Sequence, residues 1–331
     1  MKKPLPPRTL AALRPPSYEH RYFQNWKSHR FNPDATTFNI CNAWWLAEIA
    51  LLAYADVEFI QKVFDETELH ETGAKVKTFQ KESLWCFVAY TDQTLLIAFR
   101  GTELQSFWDS VQDLITDFNF FPVSDGAGAK VHRGFLSSIE SVWQELEAHV
   151  TALYLQKPRK IWLTGHSLGA ALATLAADKL TRETALPVQG LYTFGSPRVG
   201  DLNFLQRFLT YPFSRNTYRI VLGEDIVPHA PPVRWFRHVG RLHFINERDE
   251  MVSVMPSYLS RHALKHALKA LVKSLQPLSL KKISELEQSF LIPNFLADHA
   301  PLSYAIRTWN CYVQSLNQKP RKTIWRKMQP L

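Results

Sequence analysis

The stretch from residue 159 to residue 173 constrains this chain more than any other. An apolar run (Ile161, Trp162, Leu163) leads into Gly165-His166-Ser167-Leu168-Gly169, and an Ala/Leu segment without proline follows. The order reads as a strand, a tight turn and the first turns of a helix, with Gly-x-Ser-x-Gly at the turn. A serine hydroxyl is a poor nucleophile unless a base reaches it, so a reactive Ser167 has to stand clear of the backbone at the tip of such a turn. Glycines on either side let strand and helix pass close together without Cβ clashes. The helix start behind the turn points free N–H groups and a positive dipole end at the place where an oxyanion would form. So short a pattern also arises by chance in loops. Here the strand before it and the helix after it supply the context it needs.

A chain of 331 residues, 46% hydrophobic, has the material for one large domain with extensions. No stretch is long and apolar enough for a membrane span. The most apolar early run, residues 44–54, is interrupted by Glu48 and reads as a buried helix. Lys2 and Lys3 are followed by Pro4, Pro6, Pro7 and Arg8, where a signal peptide needs an apolar core. That predicts a cytoplasmic protein, at most peripheral to a membrane. Cys41, Cys86 and Cys311 are too few and too scattered for a disulfide framework or a zinc site, so no metal is expected. Each reads as a small buried hydrophobe.

The net charge of +9 is unevenly placed. Residues 1–14 carry +4, residues 261–282 carry +6 and residues 317–331 carry +5, which leaves −6 for everything else. Positive charge on appended segments of an acidic body suits attraction to an anionic surface better than a basic enzyme pocket. Residues 1–16 read as a Pro-rich basic tail, 17–316 as the folded domain, about 257–290 as a basic helical insertion and 317–331 as a second basic tail. In the insertion, Leu264, Leu268, Leu271, Val272 and Leu275 form one stripe, with Arg261, Lys265, Lys269 and Lys273 on the other side. That pattern fits a solvated helix packed on the body, or docking in the plane of an anionic lipid surface.

Residues 39–64 have apolar positions at helical spacing and predict one or two packed helices. Residues 83–90 and 94–100 predict two strands, the second apolar throughout, as a strand covered on both faces would be. Further strands are predicted at 188–194 and 217–222. Strands alternating with helices imply an α/β fold with a mostly parallel sheet and helices on both faces.

An elbow serine needs a base and a group to orient it, and on such a fold the order is Ser, then an acid at a strand end, then His. Asp225 fits best, following the 217–222 strand with Pro228 fixing the exit. Its rivals are Asp201, which reads as a helix cap, and Asp249, which lies in a charged cluster and reads as a solvated face. The histidine stays open at this level among His229, His238, His243, His262, His266 and His299. His229 is too close to Asp225 to reach around, while His299 comes late, on a loop before a helix.

Several pieces together resemble the class 3 lipases, the fungal-lipase-like group of α/β-hydrolases. They are Phe99-Arg100-Gly101-Thr102, Val131-His132-Arg133-Gly134-Phe135, the elbow itself, Gly195-Ser196-Pro197-Arg198-Val199-Gly200-Asp201, Asp225-Ile226-Val227-Pro228 and Asp298-His299. The ordered set covers roughly residues 31–309 and is far more specific than any one piece. The resemblance implies Ser167 as nucleophile, Asp225 as the acid and His299 as the base. It also implies Thr102 and Leu168 as the oxyanion hole, and a lid at about residues 104–115. It departs from the pattern in the 74-position step from Asp225 to His299, a gap that holds the basic insertion. The function so implied is hydrolysis of lipid acyl esters, a triacylglycerol or other glycerolipid, with phospholipase A activity as a variant and no cofactor. A non-catalytic lipase-like module binding lipid or protein at a membrane surface is the alternative. Nucleic acid is the least suited partner, since the folded body is acidic. Oligomeric state is not written in the sequence.

Overall fold

The computed structural model describes residues 1–67, 74–81, 84–101, 121–254 and 291–317. After a single helical turn, α1 (Leu10–Leu13), come α2 (Ile40–Leu52) and α3 (Val57–Asp65). Asn39 and Asp56 start these two helices by accepting the N–H groups of Asn42 and Phe59. β1 (Lys75–Lys81), β2 (Leu84–Tyr90) and β3 (Thr94–Phe99) form an antiparallel meander. A small hairpin, β4 (Pro122–Ser124) with β5 (Lys130–His132), leads into α4 (Arg133–Gln156). Then follow β6 (Lys160–His166), α5 (Leu168–Lys179), β7 (Val188–Phe194), α6 (Leu202–Thr210), β8 (Thr217–Leu222), β9 (Arg241–Ile245) and β10 (Met251–Val252). The described chain ends on α7 (Asn294–Ala297) and α8 (Pro301–Asn317).

The main sheet runs β1-β2-β3-β6-β7-β8-β9-β10. Its centre, β3 to β9, is parallel, and both edges are antiparallel. This is the α/β architecture the sequence implies. Alternate residues of each central strand feed two separate cores. Leu95, Ile97, Leu163 and Leu191 face α4 and α5. Leu96, Ala98, Trp162, Tyr192 and Ile220 face α2 and α8, where Trp44, Trp45 and Trp309 pack. Burial on both faces explains why these strands read as unbroken apolar runs. Such a sheet presents the C-terminal ends of its parallel strands as one edge, and the residues that follow β3, β6, β7 and β8 gather there.

Residues 1–16, expected as an extended tail, lie along the body. The Lys3 N–H donates to Asn310 at 2.7 Å and the Ile292 N–H donates to the Arg8 carbonyl at 2.9 Å. Thr9 bridges to Leu291, and the Arg8 guanidinium bonds Asn294. Lys3 also reaches Glu48 at 3.5 Å. That carboxylate is wholly buried in α2, with His20 at 2.8 Å and the Trp44 indole N–H at 2.9 Å. Burial opposes ionisation there, yet His20, Lys3 and Trp44 together hold the Glu48 carboxyl below its usual range. Asp249 is no solvated residue either. It pairs with Lys2 at 3.2 Å and Arg307 at 3.4 Å and takes a hydrogen bond from Asn310. Cys86 and Cys311 are buried and Cys41 is half-buried, all three as free thiols. Among the described residues no helix is long and apolar enough to cross a membrane.

Candidate active site

β6 delivers Ser167 to the strand edge with φ 57° and ψ −125°, a conformation that L-residues avoid. Its N–H donates to the Phe194 carbonyl at 2.9 Å, which ties the turn to β7. The strain is held by close packing on both sides. A Cβ on Gly165 would run into the backbone of Gly169, and one on Gly169 into the backbone of Phe99. No residue but glycine fits either place without moving main chain, so the two flanking positions of the motif are fixed by sterics. Leu168 is the first residue of α5. An N–H at the first position of a helix has no carbonyl one turn back to bond.

The loop after β8 brings Asp225 to the same edge, and the turn between α7 and α8 brings His299. The structure joins the three. His299 Nε2 lies 2.8 Å from Ser167 Oγ, and His299 Nδ1 lies 2.8 Å from Asp225 Oδ2. The two members of the inner pair are completely buried and Ser167 nearly so, at 4% exposed. Asp225 is further satisfied by the Val227 N–H on Oδ1 at 2.9 Å and by the Tyr304 hydroxyl on Oδ2 at 2.6 Å. Three donors on one buried carboxylate fix its rotation and keep it an acceptor for the imidazole. Gly195 passes so close that a Cβ there would press on both Asp225 and the His299 ring.

The remaining candidates stand elsewhere. The Asp201 side chain accepts the Phe204 N–H at 2.9 Å and starts α6. His243 stacks on Phe38, with ring centroids 3.7 Å apart. His238 lies 2.8 Å from the Pro228 carbonyl. His229 is on the short turn after Asp225. Burial lowers the pKa of all three, to about 4 for His243, which suits neutral structural rings. Thr102 lies outside the described residues, as do the expected lid at 104–115, the insertion at 257–290 with His262 and His266, and residues 318–331.

Sequence reasoning passed over Tyr304, Asp298, His166 and Tyr54. Asp298 is half-buried near Asp225 and accepts the Glu224 N–H at 2.8 Å, which staples the acid loop to the base loop. Burial, reinforced by the Asp225 and Glu224 charges, raises its carboxyl pKa. Its position directly before His299 was the only signal available in the sequence.

A parallel sheet with a strained serine at a strand-to-helix turn, an acid after a later strand and a histidine after that defines an α/β-hydrolase. The model of the lipase (class 3) family matches residues 96–235. A lipase of Rhizomucor miehei is 41% identical over 179 residues, 51% of this chain and 47% of that one. A secreted mono- and diacylglycerol lipase of Fusarium solani is 42% identical over 135 residues, 40% of this chain and 39% of that one. Among solved structures, a triacylglycerol lipase whose catalytic centre is a serine-protease triad superposes with a TM-score of 0.54 at 32% identity. That match covers 66% of this chain and 84% of the other. The chain therefore belongs to the class 3 lipase family. It spans less than half the length of the Rhizomucor and Fusarium relatives.

The cytoplasmic location expected from the sequence is overturned. Relatives in the family are named as secreted, which points to the extracellular side. The expectation rested on a missing apolar run near Met1, and such an absence carries no information about compartment.

Proposed function

We propose that the protein is a serine esterase acting on lipid acyl esters, with a glycerolipid as substrate. One observation carries the reading: an unbroken hydrogen-bonded chain from Ser167 through His299 to Asp225, beginning at a strained residue. As Ser167 Oγ attacks the ester carbonyl, its proton passes to His299 Nε2. Asp225 holds Nδ1–H and stabilises the imidazolium. The carbonyl oxygen becomes an oxyanion bound by the Leu168 N–H and, by resemblance, by Thr102, each such donor being worth about 10²–10³ in turnover. The alcohol leaves with the proton from Nε2. Water, deprotonated by the same nitrogen, then releases the fatty acid and restores Ser167. No cofactor enters these steps. A pure binding module would have no use for the strain at Ser167, which costs of order 1–3 kcal/mol.

Ser167→Ala should abolish hydrolysis of a p-nitrophenyl ester and labelling by a fluorophosphonate, with the melting temperature kept. Residual turnover comparable to wild type would refute the proposal. Contact with an anionic membrane belongs to the same reading. It is assigned to the basic segments 261–282 and 319–327, because Lys2, Lys3 and Arg8 are engaged on the body. Deleting residues 318–331 should weaken binding to phosphatidylglycerol vesicles and spare soluble-ester hydrolysis. Equal vesicle binding before and after removes the tail from the account.

A further inference from the structure

Two buried side chains with no part in the proposed chemistry connect the elbow to the end of β3 and to the loop of His299. Tyr54, in the turn after α2, is 6% exposed, and His166, directly before Ser167, is 0% exposed. His166 Nε2 lies 2.6 Å from the His299 carbonyl oxygen, which can only accept. Nε2 therefore carries the proton, and Nδ1 presents a lone pair to the Tyr54 hydroxyl at 2.9 Å. The Tyr54 oxygen also takes the Gly101 N–H, and a Cβ on Gly101 would collide with that hydroxyl. The connection thus runs from Gly101, at the end of β3 next to Thr102, through the elbow to the main chain of His299.

Around that carbonyl, the His299 N–H bonds Leu296, the Ala300 N–H bonds Ala297 and the Ser303 N–H bonds Ala300. The His166 ring donates to it from the elbow, its centroid 4.7 Å from that of the His299 ring. Burial, and then the neighbouring His299, keeps the His166 pKa well below the ordinary value, so it stays a neutral, single-tautomer donor across the working range.

We infer that His166, oriented by Tyr54, is a positioning residue for the ester hydrolysis proposed above, on which this inference rests: it fixes the His299 main chain and so sets the reach of Nε2 to Ser167. Asp225 restrains the ring; His166 restrains the backbone that the ring hangs from. A displacement near 1 Å at a reacting group costs about 10²-fold in rate.

The test compares His166→Gln with His166→Leu in the full chain, well below the melting temperature of each, on p-nitrophenyl butyrate. A glutamine amide donates to the His299 carbonyl and accepts from Tyr54; leucine does neither. The Leu variant should lose about 10²-fold in kcat with KM within about twofold, and the Gln variant should stay within about tenfold of wild type. Leu and Gln variants that fall equally, or a Leu variant with wild-type kcat, overturn the inference. If the Leu variant does not fold, Tyr54→Phe carries the test, with an expected fall of about tenfold in kcat at unchanged KM. Unchanged kcat then overturns it. Wild-type protein that neither turns over the ester nor takes a fluorophosphonate would sink the esterase reading instead.

Discussion

Tyr304→Phe removes one oxygen from the interior and breaks two hydrogen bonds. The ring is 1% exposed on α8, five residues past His299. Its hydroxyl donates to Asp225 Oδ2 at 2.6 Å and accepts the Leu222 N–H at 3.1 Å. A hydrogen bond to a charged group is worth about 1.5–3 kcal/mol, and leaving the Leu222 N–H buried and unpaired costs roughly 1–3 kcal/mol more. The loss in stability is therefore about 2.5–6 kcal/mol. At about 2 °C per kcal/mol for a chain of this size, Tm should fall by roughly 5–12 °C. Phenylalanine fills the same space, so none of this comes from a cavity.

Activity should fall for a separate reason. Asp225 keeps the Val227 N–H on Oδ1 and the imidazole on Oδ2, but it loses the donor that fixes its rotation from the α8 side. A drop of about tenfold in kcat with KM unchanged is expected, because the affected contact matters only as charge develops on His299. Thermal melting by circular dichroism and p-nitrophenyl butyrate kinetics on the same preparation read both effects. A Tm within about 2 °C of wild type, outside the range derived from these two bonds, would refute the hydrogen-bond accounting, and an unchanged kcat would refute the orienting role.

Two further outcomes follow from the packing and the charges. Gly169→Ala places a methyl group against the Phe99 backbone, so urea unfolding should show a loss of about 3 kcal/mol or more; a wild-type midpoint would mean that the elbow is not packed this way. Asp298→Asn keeps an acceptor for the Glu224 N–H and removes a carboxylate whose pKa burial has raised. A raised carboxyl binds its proton more readily in the folded state, so its charged form weighs against folding at neutral pH, and the penalty fades as pH falls through the folded value. The Asn variant should unfold at higher urea than wild type at neutral pH, with the gap closing in mild acid. A gap that widens in acid would reverse the sign and the argument.

The elbow was legible because reactive geometry and tight packing leave few residue types at fixed spacing. The central strands were legible because burial on both faces writes an apolar run. β1 was not. It carries Lys75, Lys77 and Lys81 on the sheet edge, where charge discourages pairing with another chain and hides the strand's alternation. The N-terminal segment misled for a related reason. Proline and lysine look solvent-loving in a linear reading, while their partners Glu48, Asp249 and Asn310 are 45 to 307 positions away. Tyr304 had no local signature either, since its bond to Asp225 spans 79 positions. The 74-position step from Asp225 to His299 suggested a poor fit to the family pattern. Sequence separation is not distance, however: Leu291 is bridged to Thr9, and His299 lies 2.8 Å from Asp225.

The segment from Leu291 to His299 bears on where the site's geometry comes from. The helix before His299, α7, has four residues, too few to be stable alone in water. α7 alone therefore does not fix the imidazole, whose other flank is the 17-residue α8, and contacts from three further stretches of chain act on the same turn. Asp225 and Ser167 act on the ring, and His166 acts on the carbonyl. Asp298 binds the turn that carries Asp225. Arg8 and Thr9 bind Leu291, Ile292 and Asn294 at the base of the loop. A base held this way depends on stability spread over the whole chain, whereas the nucleophile depends on one turn. Destabilising changes far from the serine should then reach activity through the histidine first.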